Sequence, residues 1–315
     1  MIKDRFVAHS HVMRALVEQV RRFAAIESNV LITGETGAGK NAVARELHAR
    51  GPRAKLPFVT IDCASLAGSL IDSELFGHER GAFTDAVSAR AGRFELAGAG
   101  TVYLDAVTEL AIEAQGKLLR IVEEKRVERL GGRAPVAVRA RIVASAGARI
   151  EDAVLGGSFR GDLYHRLRVL PLVVPPLRER PEDILPLAKY FLKRAAAAAP
   201  REPLALTRDA AAALRDYTWP GNVRELRHAV ERGFDAAGLD DIGTIRLDHL
   251  PREILEAPAL EPDRAAARRP TLDEVERRYI AATLRHARGS QTEAARLLGI
   301  SRKALWEKRK RYGLE

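Results

Sequence analysis

The sequence predicts an α/β chain in three parts: a parallel sheet with helical crossovers, an all-α subdomain, and an all-α domain at the C-terminus. Three observations carry that expectation. Five apolar runs of strand length, at 30–33, 58–61, 101–104, 141–144 and 169–174, are mostly separated by segments of helical period. From about Pro181 to Leu250 the apolar spacing is helical throughout. Residues 271–315 then carry 11 Lys/Arg against 6 Asp/Glu, half of the chain's formal net charge of +10. The expected boundaries are 1–180 for the sheet, 181–255 for the helical subdomain, 256–270 for a linker and 271–315 for the C-terminal domain.

Composition narrows the class. The 315 residues, 46% hydrophobic and 30% charged, are those of an ordinary globular chain with a real core. A single cysteine, Cys63, excludes an internal disulfide and a multi-cysteine zinc site and fits a reducing compartment. No run approaches the ~20 apolar residues of a membrane span, and MIKDRFVAHS has no secretory apolar core. A cytoplasmic protein with no membrane partner is therefore expected. The charge favours a polyanionic partner, and its concentration at the C-terminus suits a small nucleic-acid-binding module.

Taken in order, residues 11–25 place Val12, Leu16, Val20 and Phe23 on one helical face. The run 30–33 leads into Gly34-Glu35-Thr36-Gly37-Ala38-Gly39-Lys40-Asn41, and the helix-like AVARELHAR follows. This is the GxxxxGK phosphate-binding pattern in its strand–loop–helix context. Glycines let successive amides curve around phosphate, the helix N-terminus adds positive potential, and Lys40 reaches the terminal phosphates. Asn41 replaces the usual Ser/Thr and removes one direct magnesium contact. The run 101–104 ends in Asp105. Alone, a turn aspartate is the commoner explanation; beside the glycine loop, Asp105 suits an acid near magnesium.

Segment 256–270 holds three prolines and little apolar periodicity, as a linker does. Gln291–Leu298 reads as the first helix of a helix-turn-helix, Gly299-Ile300 as its turn, and Ser301 as N-cap of the second. In that second helix Leu305 and Tyr312 point to the core, while Arg302, Lys303, Trp306 and Lys310 share the other face. Arg and Lys there suit phosphates or guanine edges, and the aromatic suits thymine methyls or sugar. Lys308 and Lys310 are expected to govern salt dependence, and Arg302 and Trp306 sequence choice. Before them, Leu272, Val275, Tyr279, Ala282 and Leu284 form a stripe that reads as local core or as a dimer seam.

Together these motifs resemble the bacterial enhancer-binding activators of sigma-54 RNA polymerase, which join an AAA+ ATPase domain to a Fis-type helix-turn-helix. The resemblance rests on GETGAGKN (34–41), ELFGHERGAFTDA (74–86), FRGDLYHRL (159–167), PPLRERPEDI (175–184), WPGNVREL (219–226) and EAARLLGISRKALW (293–306). It begins almost at Met1, which implies a chain without the family's N-terminal regulatory domain. It also implies an AAA+ core with a helical lid, ATP and magnesium as cofactors, and assembly between dimer and hexamer. Arg160 and Arg166 become arginine fingers that reach a neighbouring subunit's nucleotide, worth ~10³–10⁵ in rate. Arg224 becomes the sensor of nucleotide state. Phe83 and Thr84, in GAFTDA, become contacts to sigma-54, and the dimer seam is favoured for 271–286, giving a two-fold symmetric site on double-stranded DNA.

Four departures concern one cycle. Ala106 stands where the family has the glutamate that activates water, Asp62 where it has asparagine, Gly147 where it has a sensor asparagine, and Asp85 where a second glycine is usual. The phosphate-binding residues are intact. The sequence therefore predicts an ATP-binding, DNA-binding regulator with impaired hydrolysis. The alternative is a fully active ATPase that remodels sigma-54 holoenzyme, favoured by the retained Arg160, Arg166, Arg224 and Phe83. A hybrid, lending arginine fingers to an active paralogue, fits both sets of residues. The GAFTDA loop argues against a repair or replication ATPase.

Overall fold

The computed structural model describes residues 6–64, 69–83, 86–132, 134–199, 202, 204–240, 243–255, 276–277, 279–281, 283–284, 287 and 290–313. Contacts divide the chain into two units, Met1–Ala259 and Leu260–Glu315.

The first unit is built on five parallel strands: β1 (Val30–Thr33), β2 (Phe58–Asp62), β3 (Thr101–Asp105), β4 (Arg141–Ala146) and β5 (Leu170–Val173), in the spatial order β2-β3-β4-β1-β5. Alternation along each strand feeds two cores. Leu31, Val102, Leu104, Ile142 and Ala144 face one core, packed under α3 (Ile112–Glu124) and α4 (Gly161–Leu167). Val30, Ile32, Tyr103 and Val143 face the other, covered by α1 (His11–Ala24) and α2 (Lys40–Arg50). Both faces of the sheet are covered, which is why its strands read as continuous apolar runs: all six residues of β4 are buried.

Register then builds the site. Asp62 pairs with Asp105, and Leu104 with Ala144, so the C-terminal ends of β2, β3, β4 and β1 lie side by side. Ligands of open parallel sheets bind at that edge. Helix α1 buries Leu16 and Val20 of the predicted stripe, with Phe23 partly buried beside them, and adds Met13 and Ala24. Val12 is 41% exposed, because the face is turned one residue toward Met13, whose sulfur packs beside Arg180.

After β5 comes a third core, formed by α5 (Ile184–Ala198), α6 (Arg208–Asp216) and α7 (Asn222–Leu239) around Trp219, Phe191, Leu214 and Phe234. It is not helical throughout: Ala205–Leu206 and Thr244–Ile245 form a short parallel pair. Asp183, just before α5, accepts from the His9 and Ser10 amides and from Ser10 Oγ, tying the N-terminal segment to this subdomain. Among the described residues no helix is long and apolar enough to cross a membrane.

In the second unit, α8 (Gln291–Leu298) and α9 (Arg302–Tyr312) pack through Ala294, Ala295 and Leu305 against Ile280. Ser290 and Ser301 cap the two helices through their side chains, and Gly299 makes the turn at φ +65°. The linker 256–270 and Leu272, Val275 and Ala282 lie outside the described residues.

Candidate nucleotide-binding and DNA-binding sites

The glycine loop leaves β1 and enters α2 at Lys40. Gly39, at φ +105°, is the N-cap of α2, a backbone region that L side chains avoid. Gly37 is required twice: its φ is +77°, and a Cβ there would stand 2.3 Å from the Gly221 carbonyl oxygen. Lys40 Nζ donates to the carbonyls of Gly34 (2.8 Å) and Glu35 (3.0 Å). Burial lowers the Lys40 pKa, while Asp105 opposes that shift and Arg224 adds to it.

Around the loop lies an open cleft of about 1310 Å³. Thr36, Gly37, Ala38, Gly39, Lys40 and Asn41 line it, and so do Asp62, Asp105, Ala106, Glu109, Gly147 and Arg224. Phe6, Met13, Leu187 and Phe191 give it an apolar wall large enough for a base. Gly34 and Glu35 lie off this lining. Both Glu35 oxygens are held by Arg178, at 2.6 and 2.8 Å, and Asn222 adds a bond of 3.1 Å. Those partners, Arg178 first, bring the Glu35 pKa down to about 2.

At the strand edge, Asp105 Oδ1 accepts from Ser145 Oγ (2.5 Å) and Tyr103 Oη (3.0 Å). Ser145 Oγ in turn accepts from the Ala106 amide at 3.0 Å, and Ala106 sits at φ +55°. A Cβ at Gly147 would meet nothing within 4 Å among the described residues. Burial, and then Asp105, Asp62 and Glu109, push the Cys63 thiol up to about 12, so the buried thiol stays protonated. Asn41 Oδ1 accepts from Arg45 Nε at 2.9 Å.

The remaining predicted residues sit apart from the cleft. Arg160 pairs with Asp162 at 2.7 Å and Arg166 with Glu123 at 2.8 Å, all on exposed or half-buried surface. Phe83 is 41% exposed and meets the His78 ring edge-on, with centroids 5.0 Å apart. Thr84 and Asp85 lie outside the described residues.

Sequence reasoning missed three residues beside the loop: Arg178, Arg180 and Asn222. Arg180 is buried, and its Nη2 donates to the Ala38 carbonyl at 2.6 Å. Asn222, also buried, accepts from the Leu177 amide and donates to the Thr36 carbonyl at 3.2 Å. The available signal was Trp-Pro-Gly-Asn, a turn sequence whose Trp219 and Asn222 both take positive φ.

In the second unit Arg302, Lys303, Trp306 and Lys310 are exposed along α9, Trp306 by 54%. Lys310 Nζ lies 5.4 Å from the Trp306 ring centroid. Lys308 is half-buried and, with Tyr312 Oη, holds Glu276. The helix-capping residue Ser301 donates no charge but fixes where α9 begins, through its bond from the Ala304 amide at 3.1 Å.

Comparison with known proteins identifies the domains that carry these two regions. Residues 6–173 match the Sigma-54 interaction domain, 178–267 the AAA+ ATPase lid domain, and 271–312 the Fis family of bacterial regulatory proteins. The transcriptional regulatory protein FlbD of Caulobacter vibrioides is 40% identical over 97% of this chain and 70% of its own length. The Nif-specific regulatory protein of Azotobacter vinelandii is 43% identical over 95% of this chain and 57% of its own. The DNA-binding transcriptional activator HyfR of Escherichia coli is 40% identical over 98% and 47%. The chain thus spans between about half and seven-tenths of the length of these relatives. NtrX from Brucella abortus, solved in complex with ATP and with ADP, superposes with a TM-score of 0.75 at 35% identity, covering 98% of this chain and 70% of that one. With its parallel sheet, lid and helix-turn-helix matched in sequence and in fold, the chain belongs to the sigma-54-dependent transcriptional regulators, which carry an AAA+ domain and a Fis-type DNA-binding domain.

Proposed function

We propose that this chain is an ATP-binding, sequence-specific DNA-binding transcriptional regulator that holds ATP but cleaves it slowly or not at all. The carrying observation is the end of β3. Asp105 is oriented by Ser145 and Tyr103, but the next residue, where a carboxylate would position the attacking water, is Ala106. A methyl group neither accepts a proton nor orders water, and loss of a general base costs ~10²–10⁴ in rate. Gly147 brings no side chain to the same cleft.

Binding has separate support. Gly37, Gly39 and Lys40 provide the loop, and NtrX was solved with ATP and with ADP. Magnesium fits Asp105: its Oδ2 receives no hydrogen bond among the described residues, and a hard oxygen anion beside the phosphate loop suits that ion. The ion would neutralise charge on the β- and γ-phosphate oxygens. Asp105 would hold it, Lys40 would steady the terminal phosphates, and Arg224 would sense them from the first turn of α7.

In a homo-oligomer Arg160 and Arg166 act in trans. Their present pairs with Asp162 and Glu123 are solvent-exposed and therefore weak, so a neighbour's phosphate can displace them. Phe83 and Thr84 contact sigma-54, and Ser301, Arg302, Lys303, Trp306, Lys308 and Lys310 contact upstream promoter DNA.

The exposed Arg160, Arg166 and Phe83 favour a second reading, a fully active ATPase that remodels sigma-54 holoenzyme. Turnover by Ala106→Glu separates the two. Impaired hydrolysis predicts a gain of about a hundredfold or more over wild type, alone or with Gly147→Asn. Equal turnover by wild type and Ala106→Glu at a rate typical of active ATPases supports the second reading.

A further inference from the structure

Every carbonyl of the glycine loop has a donor. Lys40 Nζ serves Gly34 and Glu35, Asn222 Nδ2 serves Thr36 (3.2 Å), the Val223 amide serves Gly37 (3.0 Å), Arg180 Nη2 serves Ala38 (2.6 Å) and the Val43 amide serves Gly39 (3.2 Å). Three of these donors come from the lid side of the cleft, beyond β5. By contrast, the amides of Gly37, Gly39, Lys40 and Asn41 bond no carbonyl among the described residues.

The two facts are linked by peptide geometry. In a trans peptide the C=O of one residue and the N–H of the next point in opposite directions. Holding the Thr36 and Ala38 carbonyls against Asn222 and Arg180 therefore turns the Gly37 and Gly39 amides the other way, and both glycines line the cleft. Successive amides aimed at one space form an anion-binding concavity.

Arg180 adds charge as well as direction. It is 3% exposed, and its Nε has no hydrogen-bond partner among the described residues. Its guanidinium touches the Ala38 carbonyl and Met13 Sδ, while the carboxylate of Asp183 is spent on His9 and Ser10. Burial draws its pKa down to about 10, still charged at neutral pH. A buried cation without a contacting carboxylate is unfavourable unless another anion complements it.

We propose that Arg180 and Asn222 are positioning residues of the phosphate cradle: they clamp the loop's carbonyls outward so that its amides face the phosphates, and the Arg180 charge is complemented by the bound polyphosphate. This rests on the nucleotide-binding reading above. Because clamp and ligand share one loop, phosphate binding also tightens the lid on the sheet, and a fixed lid favours phosphate in return.

The test is the affinity of full-length wild type, Arg180→Met, Arg180→Lys and Asn222→Ala for ATP, ADP and AMP, by calorimetry. A cradle role predicts a loss that grows with phosphate number. For Arg180→Met, ATP weakens by about tenfold or more, ADP by less, and AMP least. Arg180→Lys, which keeps the charge without the fork, falls between. Should Arg180→Met fail to fold, Arg180→Lys and Asn222→Ala carry the same test through their ATP/AMP affinity ratio. An equal loss for all three nucleotides, or an unchanged ratio in every variant, overturns the clamp. Wild type binding ATP no better than AMP would instead overturn the nucleotide reading itself.

Discussion

At the scale of single residues, the chain keeps Gly37, Gly39 and Lys40 of the phosphate loop and carries Ala106 and Gly147 at the end of the neighbouring strands. Lys40 is fixed by two carbonyls and partly buried, so removing its ammonium removes a placed charge rather than a floating one. Lys40→Ala is expected to weaken ATP binding by at least about tenfold, with DNA affinity unchanged, as calorimetry and DNA titration on one preparation will read. Glu35 had been expected at the nucleotide from its place in the motif. A motif gives spacing, not the direction of a side chain, and nothing local in GETGAGK announces that Arg178 takes both oxygens. That pair has a pH signature. The carboxylate is held at about 2 in the fold, against ~4.3 for a free glutamate. A group lowered on folding stabilises the fold fully above its unfolded value, and that contribution disappears as pH falls through about 4 toward 2. Arg178→Ala should lower stability between pH 6 and 8, where the pair contributes fully, leave it little changed near pH 2, and so flatten this part of the acid unfolding curve. A wild-type-like acid branch in the variant would remove the Glu35 assignment.

At the scale of elements, the central strands were legible because burial on both faces leaves an unbroken apolar run, while the edge strand β5 was legible from its apolar residues although Pro171 and Val173 are exposed. The predicted 30–33 is β1 itself, and the others agree within one or two residues. The face of α1 was less legible: Val12 and Met13 are equally apolar, and only packing against the loop selects Met13. The parallel pair at 205–206 and 244–245 had no sequence signal, since two residues cannot show a period. Trp219 anchors the lid, fully buried with Nε1 bonded to the Leu214 carbonyl at 2.8 Å. Trp219→Ala should destabilise the first unit by about 3–5 kcal/mol, measured as a shift of its denaturant midpoint. In the DNA-binding domain, α9 was legible from its capping serine and turn glycine, but the fate of Lys308 was not. Its partner Glu276 lies 32 residues away in sequence. Lys310→Ala should therefore reduce the salt slope of DNA binding by about 0.9, and Lys308→Ala by less. Equal slopes for the two variants would show that the Glu276 pair opens on DNA. The chain has two tryptophans and one is buried, so fluorescence quenching on DNA should vanish in Trp306→Phe and persist in Trp219→Phe.

At the scale of the whole molecule, a charge of +10 divides between two polyanions. One half lies in the Fis-type domain, spaced along α9 for DNA; in the other, Lys40, Arg180 and Arg224 surround a cleft shaped for a nucleotide. Family membership explains why these units share a chain. It does not explain Ala106 and Gly147, and those two residues set the central claim: the site captures ATP and stalls. The direct measurement is phosphate release by the purified wild-type protein, with ATP occupancy determined in the same sample. Saturated binding with release slower than about 0.01 per second, two or more decades below an ordinary turnover, is the predicted result. Turnover near about one per second at saturating ATP would contradict it.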